Sequence, residues 1–269
     1  MNSVPFSFCQ AVVASLTKAS NNLLSFRDSD SGRWEMAAKE ETEYRLEYSL
    51  TLRYNGAVWS STVDAPRNRN VSLEDLQKVN RKRLHVKRIS IQKGLEANQR
   101  SFDELLKIVE CTLPFVNFAT FFVETAKLPE EELGKLLHCY RNSSISNVYV
   151  NGESSSATRF LQFLLNSKDL TTVSTRDMDL RGLEAEITNF VFKKQSSHFV
   201  FMNSKIHFNE TFVEKFFEKP LRRGAQQGLI TDSFSLPENR KNSEWRRRSD
   251  GADVCIRTTY GLSVVISKS

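Results

Sequence analysis

The chain is poor in the residues that build catalytic and cofactor sites. It has only ten glycines, four histidines and four cysteines in 269 residues. The histidines form neither an H-x-x-x-H nor an HExxH pattern and the cysteines form no CxxC pair, which excludes the usual zinc motifs. Neither a G-x-S-x-G motif nor a P-loop is present, and glycine-poor loops argue against a phosphate cradle. We therefore expect no metal, no cofactor and no enzymatic activity.

Long apolar runs are also missing. None approaches the ~20 residues that cross a bilayer. The apolar stretch from Val4 to Leu16 has no basic residues before it and is interrupted by Cys9-Gln10, so we expect no cleaved signal peptide. Scattered cysteines without a pairing pattern are typical of reduced thiols. These features predict a cytoplasmic or nuclear protein with no membrane partner.

The positive charge is concentrated in one segment. The formal net charge is +6, and residues 219–248 hold eight Lys or Arg against three acids. A solvated basic loop over 219–242 explains most of this excess. Two alternatives stay open: an acidic partner or nuclear-import patch around Arg246–Arg248, and nucleic-acid binding through the basic 219–248 segment. Nearby carboxylates at Asp177, Asp179 and Glu130–Glu132 fit helix-start and turn roles better than acid–base chemistry.

The N-terminal forty residues predict two short helices. Phe8, Val12 and Leu16 recur every fourth residue, which gives a helix one apolar face. A polar break follows, and Trp34 and Met36 open a second helix that ends in an acidic run. A helix pair of this size is too small to fold alone. We expect it to dock on the main body, on a partner, or on both.

A β-hairpin and a linking helix are predicted over residues 44–80. Apolar and polar residues alternate from Tyr44 to Tyr54, which places the two sets on opposite faces of a strand. Asn55-Gly56 is typical of a type I′ turn, and Ala57–Val63 is the predicted return strand. Ser72 is suited to cap a short helix that follows.

Residues 81–218 alternate between strand-like and helix-like runs. The strand-like runs begin near Leu84, Val116, Ile145, Leu170 and His198, at spacings of 32, 29, 25 and 28 residues. This period is typical of strand–helix repeats. The fold class that we predict is therefore α/β, a short irregular strand–helix solenoid of leucine-rich-repeat-like type. A small N-terminal helical segment precedes it, and a C-terminal β-meander over 243–269 covers its end.

Phenylalanine is abundant, with a cluster in the second strand of this block. Strand alternation predicts Phe118 and Phe122 on one side and Phe115 and Phe121 on the other. Packing under the helices is the simplest role for these rings. A set that faced solvent on the sheet side would be a protein-binding hot spot.

The N-terminal motif resembles a short, degenerate F-box, in which Leu-Pro is followed by spaced aliphatic residues and then, after a polar break, by Trp. The residues that carry this resemblance are Val4-Pro5, Phe8, Val12, Leu16, Leu23-Leu24 and Trp34. Most of the chain is similar to the nematode-expanded families of F-box and F-box-like proteins, whose C-terminal halves are divergent strand–helix repeats.

This resemblance implies an adaptor role. Val4, Pro5, Phe8, Val12, Leu16 and Trp34 would contact a Skp1-like adaptor of an SCF-type (Skp1–cullin–F-box) ubiquitin ligase. The repeat block would hold a target protein, and the chain would be monomeric apart from these partners. Independently of the resemblance, an apolar helix pair beside a repeat block without a catalytic motif fits a two-ended interaction protein. The alternative is a protein-binding module with no link to ubiquitin.

Overall fold

The computed structural model describes most of the chain. It covers residues 4–15, 32–44, 46–65, 84–95, 98–193, 198–206, 212, 215, 226–231, 244–247, 253–257 and 262–267. Within these ranges no helix combines the length and the apolar character needed to cross a membrane. The predicted helix at Ser72 and most of the predicted helix after Asn209 lie outside the described residues.

Helices and strands alternate along the middle of the chain. The helices are α1 (Phe6–Ser15), α2 (Gly32–Tyr44), α3 (Phe102–Thr112), α4 (Glu130–Cys139), α5 (Ser155–Leu165) and α6 (Glu184–Lys193). The first eight strands are β1 (Leu46–Tyr54), β2 (Trp59–Asp64), β3 (Leu84–Lys93), β4 (Gln99–Arg100), β5 (Val116–Glu124), β6 (Ile145–Asn151), β7 (Thr172–Arg176) and β8 (His198–Met202). Four more follow: β9 (Gln226–Thr231), β10 (Glu244–Arg247), β11 (Asp253–Arg257) and β12 (Leu262–Ser267).

These strands form a single mixed sheet. Its order is β10-β11-β12-β9-β8-β7-β6-β5-β3-β1-β2-β4. The run from β1 through β3, β5, β6, β7 and β8 to β9 is parallel throughout. Antiparallel strands complete the sheet at both ends, β2 and β4 beside β1, and β12, β11 and β10 beside β9.

The predicted leucine-rich-repeat-like solenoid with separate flanking pieces is therefore wrong. The described strands belong to one continuous twelve-stranded sheet. β1 pairs with β3 along its whole length, so the predicted hairpin is an integral part of the sheet. α2 extends to Tyr44, and β1 begins at Leu46, so the helical segment leads directly into the sheet. Periodicity predicts which segments are strands, but the extent of a sheet depends on hydrogen bonds between residues distant in sequence.

The tail also differs from the sequence prediction. Residues 226–231, predicted to lie in a loop, form β9, which pairs parallel with β8 and antiparallel with β12. β10, β11 and β12 do form an antiparallel meander, as predicted. This meander continues the sheet through β9 instead of covering the end of a solenoid. Only the second half of β9, Leu229–Thr231, has strand propensity, and a run of three such residues within a polar segment is a weak local signal, so its pairing depends on its neighbours.

The main core lies between the sheet and helices α3–α6. A row of register-paired, fully buried residues crosses five strands: Ile89, Phe121, Val148, Val173 and Phe199. Buried leucine and isoleucine side chains of the helices complete the same cluster: Leu105, Leu133, Leu136, Leu161 and Ile187. Apolar residues at helical spacing thus meet apolar residues at strand spacing, which fixes the helices on one face of the sheet.

Local signals at the ends of elements explain several boundaries. Ser101 and Glu104 form a capping box at the start of α3, each side chain bonding to the backbone of the other. The β1–β2 connection is not the predicted type I′ turn, because only Gly56 has a positive φ, of +103°. The Asn55 side chain instead accepts hydrogen bonds from the backbone N–H groups of Ala57 and Val58, at 2.9 Å each. A wider loop closed by Asn55 is the result.

Candidate functional site

Helices α1 and α2 form a small unit with its own core. Cys9 and Val13 of α1 and Ala37 and Ala38 of α2 are buried together, separately from the main cluster. Small side chains on α2 allow the two helices to approach closely. A hydrogen bond of 2.8 Å from the Gln10 amide to the Glu40 carboxylate also links them.

The structure brings several of the predicted adaptor residues together on this unit. The Phe8 and Trp34 rings meet edge to face, with centroids 6.2 Å apart and an interplanar angle of 82°. The guanidinium of Arg33 donates a hydrogen bond of 2.7 Å to the Val4 carbonyl. Val4 and Trp34 are half-buried against the small core.

The other predicted residues lie differently. Pro5 is exposed and Val12 is half-buried, while Leu16 lies outside the described residues. Phe8 is 54% exposed, and Met36 on the neighbouring helix is 63% exposed. Met36 was predicted to lie in the second helix but was not assigned to the site. The feature that could have identified Met36 is its position: it is an apolar residue of a short helix that lies outside the buried face of that helix.

One buried polar contact joins this helix pair to the sheet. Nε2 of His85 in β3 lies 3.1 Å from Oε1 of Glu41 in α2, and their side chains are only 7% and 10% exposed. Shielding from water strengthens the attraction between two such groups. The contact therefore helps to set the orientation of α2 relative to β3.

A second surface lies on the face of the sheet opposite α3–α6. We call it the polar face and define it by Arg88, Thr120, Phe122, Asn147, Tyr149, Ser174 and Arg176. The register pairs Arg88 with Thr120 and Thr120 with Asn147 in one row, and Phe122 with Tyr149 and Tyr149 with Ser174 in the next. Side chains paired in a parallel ladder point to the same face.

Three planar groups stack at the centre of the polar face. The Phe122 and Tyr149 rings lie 4.6 Å apart with an interplanar angle of 11°. The guanidinium carbon of Arg88 lies 5.1 Å from the Phe122 centroid, within the range of a cation–π contact. The prediction that Phe122 and Phe121 point to opposite sides is confirmed, because Phe121 packs on Tyr140 and Phe160 in the helix layer. Arg88 and Tyr149 were not predicted as part of this surface, since only the strand register brings them to Phe122.

Carboxylates near the ends of the parallel strands have structural partners. Glu130, in the first turn of α4, accepts hydrogen bonds from the Ser154 and Ser155 hydroxyls and from the Ser156 backbone N–H. Partial burial raises the pKa of Glu130, but these hydrogen bonds outweigh it and lower the pKa to about 2. The carboxylate thus satisfies the first turn of α5, where a helix favours negative charge.

Turn residues occupy the same level at the ends of neighbouring strands. Gly152, Asp177 and Asn203 follow β6, β7 and β8 directly, with φ values of +98°, +54° and +49°. The side-chain amide of Asn203 donates to the carboxylate of Asp177. Hydrogen bonds from Arg181 lower the pKa of the Asp179 carboxyl to about 2. The predicted turn and helix-start roles of Asp177, Asp179 and Glu130 are confirmed.

A groove lies on the outside of the helix layer. It runs between α4 and α5 and is lined in part by His138, Cys139, Arg141, Arg159 and Phe163. Burial raises the pKa of the Cys139 thiol. The thiol donates a hydrogen bond of 3.3 Å to the Lys135 carbonyl. A thiol with a raised pKa is a poor nucleophile. In the part of the chain that the structure describes, no three His, Cys, Asp or Glu side chains are grouped to hold a metal ion.

Comparisons with known proteins give little. No protein-family profile matches the chain, and no curated protein matches it. Among solved structures, it was aligned with MycE methyltransferase from the mycinamycin biosynthetic pathway, in complex with Mg, SAH and mycinamycin VI. The alignment covers 99% of this chain and 93% of that one at 9% identity, with a TM-score of 0.19. At this TM-score the alignment supports no statement about fold or activity.

Proposed function

We propose that the chain is a non-enzymatic adaptor that brings a target protein to an SCF-type ubiquitin ligase. In this proposal the α1–α2 pair contacts a Skp1-like adaptor and the sheet holds the target. The observation that supports it is the pair itself, which has a separate small core and yet leaves Phe8 54% and Met36 63% exposed. Exposed apolar side chains on a small structured unit are typical of a protein-binding surface.

The way the helix pair is attached also fits an adaptor. The buried contact between Glu41 and His85 holds α2 against β3. A protein that bound α1 and α2 would therefore have a defined orientation relative to the sheet. A defined orientation between two binding surfaces is what an adaptor that positions one protein relative to another would use.

The non-enzymatic part of the proposal rests on the roles that reactive groups already have. The Glu130 carboxylate is engaged by α5, and the Asp179 carboxylate by Arg181. The Cys139 thiol donates to a backbone carbonyl. Each of these groups contributes to local structure. The pKa values of the two carboxyl groups are lowered and the pKa of the thiol is raised, so none of them is tuned for acid–base or nucleophilic chemistry near neutral pH.

Binding of a purified Skp1-like protein to the full chain tests the proposal. Phe8→Glu and Met36→Glu should each weaken binding by about tenfold or more, because a charge would replace an apolar anchor. Neither change should alter the melting temperature much, since both side chains are exposed. Leu95→Glu is the matched control, because Leu95 is 84% exposed on another part of the chain. Failure of the wild-type chain to bind any Skp1 homologue would refute the ubiquitin link.

A second reading is an interaction module with no ubiquitin link, in which α1 and α2 serve only as packing elements. It is favoured by contacts that residues of the F-box-like motif make within the helix pair: the Val4 carbonyl accepts a hydrogen bond from Arg33, and Trp34 packs on Phe8. In that case Phe8→Glu would lower the melting temperature, and Skp1-like proteins would not bind. Nucleic-acid binding through the basic 219–248 segment and a cytoplasmic or nuclear location remain sequence predictions.

A further inference from the structure

We infer that the polar face binds a segment of polypeptide that presents an acidic side chain to Arg88. This deepens the proposed function and rests on it in one respect, the assignment of the sheet to the target. It adds the place of binding and the chemistry that the target must carry. The stack of Arg88, Phe122 and Tyr149 carries the inference, together with the uncharged groups around it.

The stack fixes the guanidinium in place. Arg88 comes from β3, Phe122 from β5 and Tyr149 from β6, so three neighbouring strands hold three planar groups in line. Arg88 is exposed, and its side chain forms neither an ion pair nor a hydrogen bond with another of the described residues. An arginine that is already oriented loses little conformational freedom when it binds a carboxylate through two parallel N–H groups. Such a side chain is a typical anchor of a binding hot spot.

The groups beside the stack are polar and uncharged. Thr120 is the register partner of Arg88, and Asn147 donates a hydrogen bond of 3.2 Å to the Thr120 hydroxyl. Ser174 follows Tyr149 in the next row. These hydroxyl and amide groups suit the backbone and polar side chains of a bound segment. From Arg88 to Ser174, the two rows therefore contain one fixed positive charge and no carboxylate.

A polypeptide fits this surface better than a single-stranded nucleic acid does. Bases bind to sheets by stacking on free aromatic faces within a positively charged groove. Phe122 lies between Arg88 on the neighbouring strand β3 and Tyr149 on the neighbouring strand β6, so its ring has no free face for a base. The positive charge is also limited, because Glu124 lies in the row that contains Arg176. A single directed cation selects a carboxylate and does not track a phosphate chain.

Binding of the full-length chain to an array of random-sequence peptides tests the inference. Each peptide with Asp or Glu is paired with a version that has Asn or Gln in its place. We expect the bound peptides to be acidic, and the amide versions to bind about tenfold more weakly. Arg88→Glu should cause a similar loss and should shift the preference to peptides with Arg or Lys in place of the acid. Phe122→Leu should weaken binding as well, because it removes the support of the guanidinium.

Arg159→Glu is the matched control, since Arg159 is exposed on the helix layer and the charge change is the same. It should leave peptide binding unchanged. The inference is overturned if amide and acidic peptides bind alike, if no peptide binds, or if Arg159→Glu is as damaging as Arg88→Glu. Binding of an oligothymidylate that Arg88→Glu abolishes would assign the face to nucleic acid. Binding of a Skp1-like protein is measured on the same variants. If the chain binds the Skp1-like protein but no peptide, this inference alone is overturned. If the wild-type chain binds peptides but no Skp1-like protein, only the proposed function is overturned.

Discussion

The hydrogen bonds of Glu130 to the first turn of α5 allow a quantitative prediction. Its carboxylate accepts from Ser155 Oγ at 2.7 Å and from Ser156 N at 2.6 Å with one oxygen, and from Ser154 Oγ at 2.9 Å with the other. Glu130→Gln keeps the shape of the side chain and removes its charge. One of the two oxygens becomes an amide nitrogen that cannot accept a hydrogen bond. The first turn of α5 then loses an anionic partner.

The pKa of Glu130 sets both the size and the pH dependence of the effect. A fall from 4.5 to about 2 gives an upper limit of about 3 kcal/mol, at about 1.4 kcal/mol for each pH unit. Glu130 is exposed, so solvent screening reduces the expected loss of unfolding free energy to about 1–2 kcal/mol at neutral pH. Because the folded pKa lies below the unfolded one, this stabilisation is complete above about pH 5 and decreases as the pH falls toward 2.

Urea denaturation followed by circular dichroism measures this difference at neutral and acidic pH. The gap between wild type and Glu130→Gln should shrink to about half or less near pH 3, because Glu130 of the unfolded wild type, with a pKa near 4.5, is already protonated there, whereas the folded protein binds that proton only near pH 2. Glu131→Gln is the control, since its ion pair with Lys135 is solvent-exposed and should contribute far less than the hydrogen bonds of Glu130. A gap that stayed constant with pH, or equal losses in the two variants, would refute the assignment of Glu130 as the anionic cap of α5.

Two further predictions concern stability. Gly152→Ala should cost about 2–3 kcal/mol, because the residue has a φ of +98° and a new Cβ would lie 2.5 Å from the Thr125 hydroxyl oxygen. Gly56→Ala, with a similar φ of +103° and no atom within 4 Å of the new Cβ, should cost only about 1 kcal/mol, and equal losses in urea denaturation would contradict the clash. Phe121→Ala should cost about 3–5 kcal/mol, because its fully buried ring would leave a cavity. Phe122→Ala, on the half-buried opposite face, should cost less than half as much, and the reverse order of the two melting temperatures would mean that the faces of β5 are assigned incorrectly.

The sequence predicted the elements better than their arrangement. β3, β5, β6 and β8 begin at the predicted residues, and β7 begins at Thr172, two residues after the predicted start. Each strand start can be predicted from the alternation of apolar and polar residues and from nearby capping residues, and both lie within one short stretch of the chain. The predicted extent of the sheet was wrong, because β1 pairs with β3, and β9 pairs with β8 and β12, and these pairs join residues far apart in sequence. Local patterns contain no information on such pairs.

For the candidate sites, too, local sequence predicted what lies within one stretch of chain but not what distant strands bring together. The helix pair was predicted from local apolar spacing, and the structure packs Phe8 on Trp34. Of the polar face, the sequence predicted only that Phe122 lies on the side of the strand opposite Phe121, with packing as its simplest role. Arg88 and Tyr149 lie 34 and 27 residues from Phe122, and nothing in their local sequence marks them as its partners. Their contact depends on the register of β3, β5 and β6, which becomes known only from the three-dimensional structure.

That register makes the polar face and the core dependent on each other. β3 has a register shift between Val86 and Arg88, and it aligns Ile89 with Phe121 and Ser90 with Phe122. Because side chains alternate along a strand, a slip of one residue would turn Ile89 outward and Arg88 into the helix layer. Burial of Ile89 and Phe121 therefore also holds Arg88 and Phe122 on the opposite face. A deletion or insertion in β3 should abolish both stability and peptide binding, whereas Arg88→Glu separates them, since it changes the binding surface and leaves the core residues untouched.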